Sequence, residues 1–154
     1  MTERSVRPAQ PGDEGPVAAM MALLWPDGAV EEFRREAAAL AATGMCGTLP
    51  AVILVAVADE GNLVGFLQAG LRSHADGCDV DHPVGYVEGW FVQEPARGRG
   101  VGRALMQTAE DWARAHGCVE MASDALIDNA ASQRAHGALG FEVVDRCVHL
   151  RKGL

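Results

Sequence analysis

The chain has 154 residues, of which 49% are apolar and 22% charged. That composition fits one soluble globular domain over residues 1–154 and excludes disordered and collagen-like chains. Thirteen basic against 21 acidic residues give a net charge of −8, a poor match to nucleic-acid phosphates and a good one to a cationic small ligand, with solubility alone as the plainer reading.

Residues 5–8 read as a short first strand. Asp13 is placed to cap a helix that tolerates Pro16 in its first turn. Val17, Met20, Met21 and Leu24 follow at helical spacing. Pro26 disfavours helical geometry in the residue before it, so this helix ends near Trp25. Residues 29–42 form a second helix, rich in Ala and Glu and stopped by Thr43-Gly44. The β-branched run 51–58 is a buried strand, 59–62 a turn, and 63–71 the second arm of a hairpin. Run 51–58 is the longest apolar stretch and falls far short of the roughly 20 residues that cross a bilayer. No basic-then-apolar leader opens the chain, so a cytoplasmic protein without membrane contact is expected.

Residues 72–83 are a polar loop with Asp76, Asp79 and Asp81. Strand 84–92 carries Tyr86, Glu88, Trp90 and Val92 on one face by its two-residue period, and Gly89 within it is a candidate bulge. After a glycine-rich loop, residues 101–116 form a helix with Val101, Leu105, Ala109 and Trp112 on one stripe and Gly117 at its C′ position. Residues 118–122 are a short strand. Asp128 or Asn129 caps a helix ending at Gly140, and 142–151 form a last strand. The order β-α-α-β-β-β-α-β-α-β is an α/β layered fold with a mixed sheet. Three successive central strands argue against a plain doubly wound sheet. Cys46, Cys78, Cys118 and Cys147 make no C-x-x-C pair, and no Cys/His spacing resembles a zinc site. Reduced structural thiols and no metal are expected.

The most informative segment is Arg97-Gly98-Arg99-Gly100-Val101-Gly102-Arg103, between a strand and a helix start. Backbone N–H groups at a helix start lack intrahelical partners and bind anions. Glycines let a phosphate approach the backbone. Three arginines within seven residues invert the sign of an acidic chain locally, and a diphosphate is the natural ligand. The segment is not a P-loop, which needs a Lys, and its glycine spacing is not that of the dinucleotide fingerprint.

Arg97-x-x-Gly100-x-Gly102 resembles the acetyl-CoA loop of the GNAT N-acetyltransferases, and Asn129 with Leu139-Gly140-Phe141 resembles that family's later motif. The resemblance covers nearly the whole chain. It implies a mixed, mostly antiparallel sheet flanked by helices, with parallel strands before and after the glycine-loop helix that splay apart. It also implies acetyl-CoA as co-substrate, its pantetheine arm in that gap against the backbone of Phe91 and Val92. The segments 87–92, 109–113, 121–124, 128–129 and 132–136 and the Leu23-Leu24-Trp25 helix end resemble aminoglycoside 6′-N-acetyltransferases more narrowly. That subgroup implies an antibiotic-resistance activity on a cationic amine, with direct transfer in a ternary complex.

Acetyl transfer to an amine requires a neutral amine, a proton acceptor and stabilisation of the charge that develops on the carbonyl oxygen. By this resemblance Asp124 contacts the reacting amine and is the base, Glu88 is the second carboxylate, and the Val92 N–H polarises the carbonyl. Pairing of Glu88 with Arg72 and a turn cap at Asp124 are their plainer roles. His136 stands where many members carry a Tyr that protonates the leaving thiolate; it either takes that role or fills space beside the cofactor. The Ser73-His74-Ala75 stretch departs from relatives that place an aromatic there. Trp25 is read as a cleft wall or as packing, Asp76, Asp79 and Asp81 as an acidic rim or a solvated loop, and Asn129 as cofactor contact, helix cap or both. The same chemistry on a polyamine or protein N-terminus, and a non-catalytic acetyl-CoA or drug-binding module, stay open. The last strand, rich in Val and lacking any later element to cover it, points to a homodimer with that strand at or near the interface; packing within its own sheet, with its charges protecting the edge, is the plainer reading.

Overall fold

The apolar run at 51–58 is continuous because the strand it forms is buried on both faces. In the computed structural model, which describes residues 5–154, the elements are β1 (Ser5–Pro8), α1 (Glu14–Leu24), α2 (Val30–Thr43), β2 (Met45–Cys46), β3 (Leu49–Val57), β4 (Leu63–Arg72), β5 (Val84–Val92), α3 (Val101–Ala115), β6 (Met121–Ser123) and α4 (Ala130–Gly137). The strands lie in the order β1-β3-β4-β5-β6, with β2 paired to the start of β3. All pairings are antiparallel except β5 with β6. Alternate residues of β3 then serve two cores. Ile53 and Val55 join Phe66 against Val17, Met20, Met21 and Leu40 of α1 and α2. Leu54 and Ala56 join Leu67, Ala69 and Val87 against Leu105, Met106 and Ala109 of α3.

Two helix ends show where local chemistry decides and where it does not. Gly44 takes a left-handed φ of +64° and closes α2, its N–H donating to the Leu40 carbonyl. Asp13 stands at the start of α1, but its carboxylate does not cap the helix. It accepts from the Gln10 N–H at 2.9 Å and from Arg7 Nη1 at 2.6 Å. The hydrogen bond from that guanidinium holds the Asp13 carboxyl below its ordinary range.

Three expectations are corrected at the C-terminal end. Residues 118–120 are not strand, because the Cys118 N–H turns back to the Ala113 carbonyl at 3.0 Å and completes the end of α3. Helix α4 stops at Gly137, and residues 138–141 continue as turns that Gly140 closes with φ +93°. Residues 142–151, expected to be a last strand, form none. A β-branched sequence supplies propensity but not the neighbour whose N–H and C=O groups a strand needs. No described strand pairs with them, and β6, last in the sheet order, pairs only with β5. Val143, Val144, Val148 and Leu150 are consequently 61–92% exposed.

Candidate active site

The site begins where two parallel strands part. β5 pairs with β4 along its length, and the register steps from Gln68↔Gly89 to Ala69↔Val87, leaving Glu88 as an extra, bulged residue. β6 accompanies β5 only from Gly85↔Met121 to Val87↔Ser123. Residues 88–92 therefore run on with no strand beside them on that side, and Phe91 and Val92 belong to this stretch. The bulge bends the strand at the point of parting. Gly89 is dictated by close approach, since a Cβ there would lie 2.5 Å from the Trp25 ring.

The glycine loop lies beyond the C-terminal end of β5. Gly98 and Gly100 adopt left-handed φ values of +70° and +81°, with no atom within 4 Å of where a Cβ would stand. Gly100 opens α3, whose first-turn N–H groups carry the positive end of the helix dipole. An open groove of about 270 Å³ is lined there by Trp90, Val92, Arg97, Arg103, Ala135 and Leu139 together with the loop glycines. Arg97 Nε donates to the Val92 carbonyl at 2.8 Å and so ties the loop to β5. Gly102 is required for another reason. A Cβ on it would come within 3.1 Å of Trp90, so its bare backbone seats the indole against the helix start. Val101 turns its side chain into the core, leaving only its backbone for a ligand. The indole Nε1 of Trp90 is buried without a partner among the described residues. A donor left unpaired in a groove lining is a place for a ligand acceptor.

The two carboxylates are linked by one aromatic residue. Asp124 follows the last residue of β6, and its Oδ2 accepts from the Tyr86 hydroxyl at 3.0 Å. Burial, then that carboxylate, push the Tyr86 phenol up to about 12. Glu88 accepts from Arg72 through both oxygens, at 2.9 and 3.1 Å from Nη2. The Arg72 guanidinium lies 3.5 Å over the Tyr86 ring. His136 is held at both nitrogens. Nδ1 is 2.8 Å from the Ser132 carbonyl and Nε2 is 2.8 Å from Ser123 Oγ. A carbonyl only accepts, which assigns a hydrogen to Nδ1 and leaves Nε2 of a neutral ring to accept from Ser123. Trp90 and Phe141 stand edge-on to the imidazole at 5.1 and 5.2 Å.

Residues 17–141 match the acetyltransferase (GNAT) family. The chain belongs to the GNAT acetyltransferase family. It is 40% identical to an aminoglycoside N(6′)-acetyltransferase type 1 of Klebsiella aerogenes, over 97% of this chain and 96% of that one. A second enzyme of that name from Stenotrophomonas maltophilia is 35% identical over 97% of this chain and 94% of its own. The solved structure of AAC(6′)-Iy in complex with the bisubstrate analogue CoA-S-monomethyl-acetylneamine superposes with a TM-score of 0.87 at 30% identity, covering 99% of both chains.

Within this GNAT fold the remaining residues separate by position. Asn129 caps α4, its side-chain oxygen accepting from the Ser132 N–H at 3.0 Å. Trp25 packs against Phe33 and Phe66 at 5.8 and 6.2 Å, with its ring over Gly89 and so beside the bulge. Asp79 is engaged within its own loop, accepting from the Asp81 N–H and lying 3.4 Å from His82. Asp76 is exposed beside His74. Neither is brought into contact with Glu88 or Asp124 by any hydrogen bond or ion pair among the described residues. The four cysteines are free. No helix is long and apolar enough to cross a membrane, and no three His, Cys, Asp or Glu side chains cluster as a metal site, among the described residues. Sequence reasoning missed Tyr86, Ser123 and the Trp90 N–H as site groups. Tyr86 carried a usable signal, because it shares a strand face with Glu88 two residues on.

Proposed function

We propose that this GNAT protein transfers the acetyl group of acetyl-CoA to the 6′-amine of aminoglycosides, by direct transfer in a ternary complex, and acts in the cytoplasm. One observation carries the reaction: Asp124 and Glu88 stand where β5 and β6 part, and the glycine loop follows the end of β5, so a cationic amine and an anionic co-substrate can meet there. The substrate class rests on the likeness to enzymes named aminoglycoside N(6′)-acetyltransferase over nearly their whole length. Four free cysteines suit a reducing compartment.

The groove fits acetyl-CoA. Gly98 and Gly100 leave space for a diphosphate, and Arg97, Arg99, Arg103 and the α3 start supply positive potential. The unpartnered Trp90 N–H can meet an amide acceptor, and the backbone of Phe91 and Val92 lies along the open stretch of β5. When bound, acetyl-CoA supplies an activated acyl thioester. Asp124 faces the amine as cation acceptor and base, and Glu88 adds the second negative charge. His136 Nε2 and Ser123 Oγ, 2.8 Å apart, form the hydroxyl–imidazole pair that supplies a hydrogen to the leaving thiolate. Trp25 borders the amine side of the site, and Asn129 orders the start of α4. A thiol-release assay with acetyl-CoA across a panel of amines tests the assignment. Aminoglycosides bearing a 6′-amine should release thiol; preferential turnover of polyamines or peptide N-termini, or no release at all, would contradict it.

We also infer a homodimer built on the C-terminal segment. Exposed Val143, Val144, Val148 and Leu150 follow β6, the short strand that ends the sheet order among the described residues. A second copy supplies an edge of identical chemistry, and two-fold pairing is the commonest closed arrangement. Light scattering at micromolar concentration should give about twice the single-chain 16.2 kDa; a mass near 16.2 kDa across a dilution series would mean the segment stays uncovered.

A further inference from the structure

Tyr86 is the chain's only tyrosine; it contacts Asp124 directly and Glu88 through Arg72. Its partner in the parallel ladder is Ala122. Asp124, two residues beyond Ala122, recurs on the same face by the strand period. The Tyr86 hydroxyl reaches Asp124 Oδ2 at 3.0 Å. A carboxylate only accepts, so the phenol hydrogen is committed to that bond. Asp124 lies past the end of β6 and is exposed, so no ladder hydrogen bond fixes it. Its other oxygen, Oδ1, receives no hydrogen bond among the described residues. The face of the same ring carries the Arg72 guanidinium at 3.5 Å. Arg72 comes from the end of β4 and grips both oxygens of the bulged Glu88.

Two carboxylates and one resident guanidinium leave a local charge of −1, which a substrate ammonium would neutralise. The geometry orders that arrangement through one side chain that carries no net charge. We propose that Tyr86 is a positioning residue for acetyl transfer: its hydroxyl aims the free oxygen of Asp124 at the reacting amine, and its ring seats Arg72, which holds Glu88. The inference rests on Asp124 as the residue that faces the amine. Because burial and Asp124 push the phenol up to about 12, the hydroxyl keeps its hydrogen through neutral pH and the bond persists there.

Steady-state kinetics on an aminoglycoside with Tyr86→Phe and Asp124→Asn, singly and combined, tests this role. Phe keeps the ring beneath Arg72 and removes only the hydroxyl. Loss of a hydrogen bond to a charged group corresponds to roughly a tenfold to hundredfold effect, so kcat/KM for the aminoglycoside should fall by that factor while KM for acetyl-CoA stays unchanged. The double variant should be no slower than Asp124→Asn alone, because the hydroxyl acts through Asp124. Tyr86→Leu, which also removes the ring, should further raise KM for the aminoglycoside as Arg72 and Glu88 loosen. A normal kcat/KM for Tyr86→Phe beside an impaired Asp124→Asn would overturn the positioning role alone. Multiplicative losses in the double variant would overturn it as well. Normal turnover by Asp124→Asn would overturn the reading of Asp124, and this inference with it.

Discussion

Asp124→Asn is expected to lower kcat for aminoglycoside acetylation by about 10²–10⁴-fold, the usual effect of losing a positioned acid–base group. Asparagine matches the aspartate in size, and its amide oxygen can still accept the Tyr86 hydrogen that now reaches Oδ2 at 3.0 Å. What disappears is the negative charge and the capacity to take a proton from the amine. Asp124 is exposed and outside both cores, so the substitution should leave the fold intact. Acetyl-CoA affinity, measured by calorimetry, should not change, because the glycine loop and α3 are untouched. Glu88 cannot replace it directly, since both Glu88 oxygens are engaged by Arg72. Near-normal turnover would remove Asp124 from the chemistry.

The second large effect is expected at the loop. Gly100→Glu should weaken acetyl-CoA binding by on the order of 10²-fold or more. A side chain at φ +81° is strained, at a cost of roughly 1–3 kcal/mol. Its carboxylate would also stand at the positive end of α3, where a diphosphate is to sit. The space around a Cβ at this position is empty, so the substitution alters charge and backbone without a steric clash in the core. Gly102→Glu is less clean. Its Cβ would press on Trp90, and weaker binding there would mix a displaced indole with a repelled anion. Calorimetry on a Gly100→Glu protein with unchanged far-UV circular dichroism decides the matter, and wild-type affinity would contradict the assignment of the loop.

Much of this architecture can be read from residues. The run 51–58 announces a strand buried on both faces. Gly44 announces a helix stop, and the glycine–arginine alternation at 97–103 announces an anion site opening a helix. Each is local: period, turn chemistry or charge within a few residues decides it. The expected last strand shows where such reading fails. Val143, Val144 and Val148 have the right propensity, but a strand is a relation between two segments, and no described strand pairs with this one. Asp13 shows a milder failure of the same kind. Its position suits a cap, yet Arg7, six residues earlier and brought near by β1, takes the carboxylate.

The site divides along the same line. Glu88 and Asp124 can be picked out because the resemblance to GNAT enzymes implies that they flank the parting of two strands. That the two are joined through Arg72 and Tyr86 depends on cross-strand register and on the bulge at Glu88. Gly89 hints at irregularity in the sequence, but its cause, the Trp25 ring 2.5 Å from an imagined Cβ, comes from a helix more than 60 residues away. Likewise, His136 is visible as a departure from a family tyrosine, while its hydroxyl partner Ser123 emerges only when α4 folds back beside β6.

The most direct measurement is the position of the acetyl group in the product. An aminoglycoside with several amines, incubated with the protein and acetyl-CoA, should yield a singly acetylated compound with one equivalent of free thiol. Two-dimensional NMR should place the new amide on the 6′-nitrogen. An acetyl group on any other nitrogen, or an unmodified drug after prolonged incubation, would contradict the account.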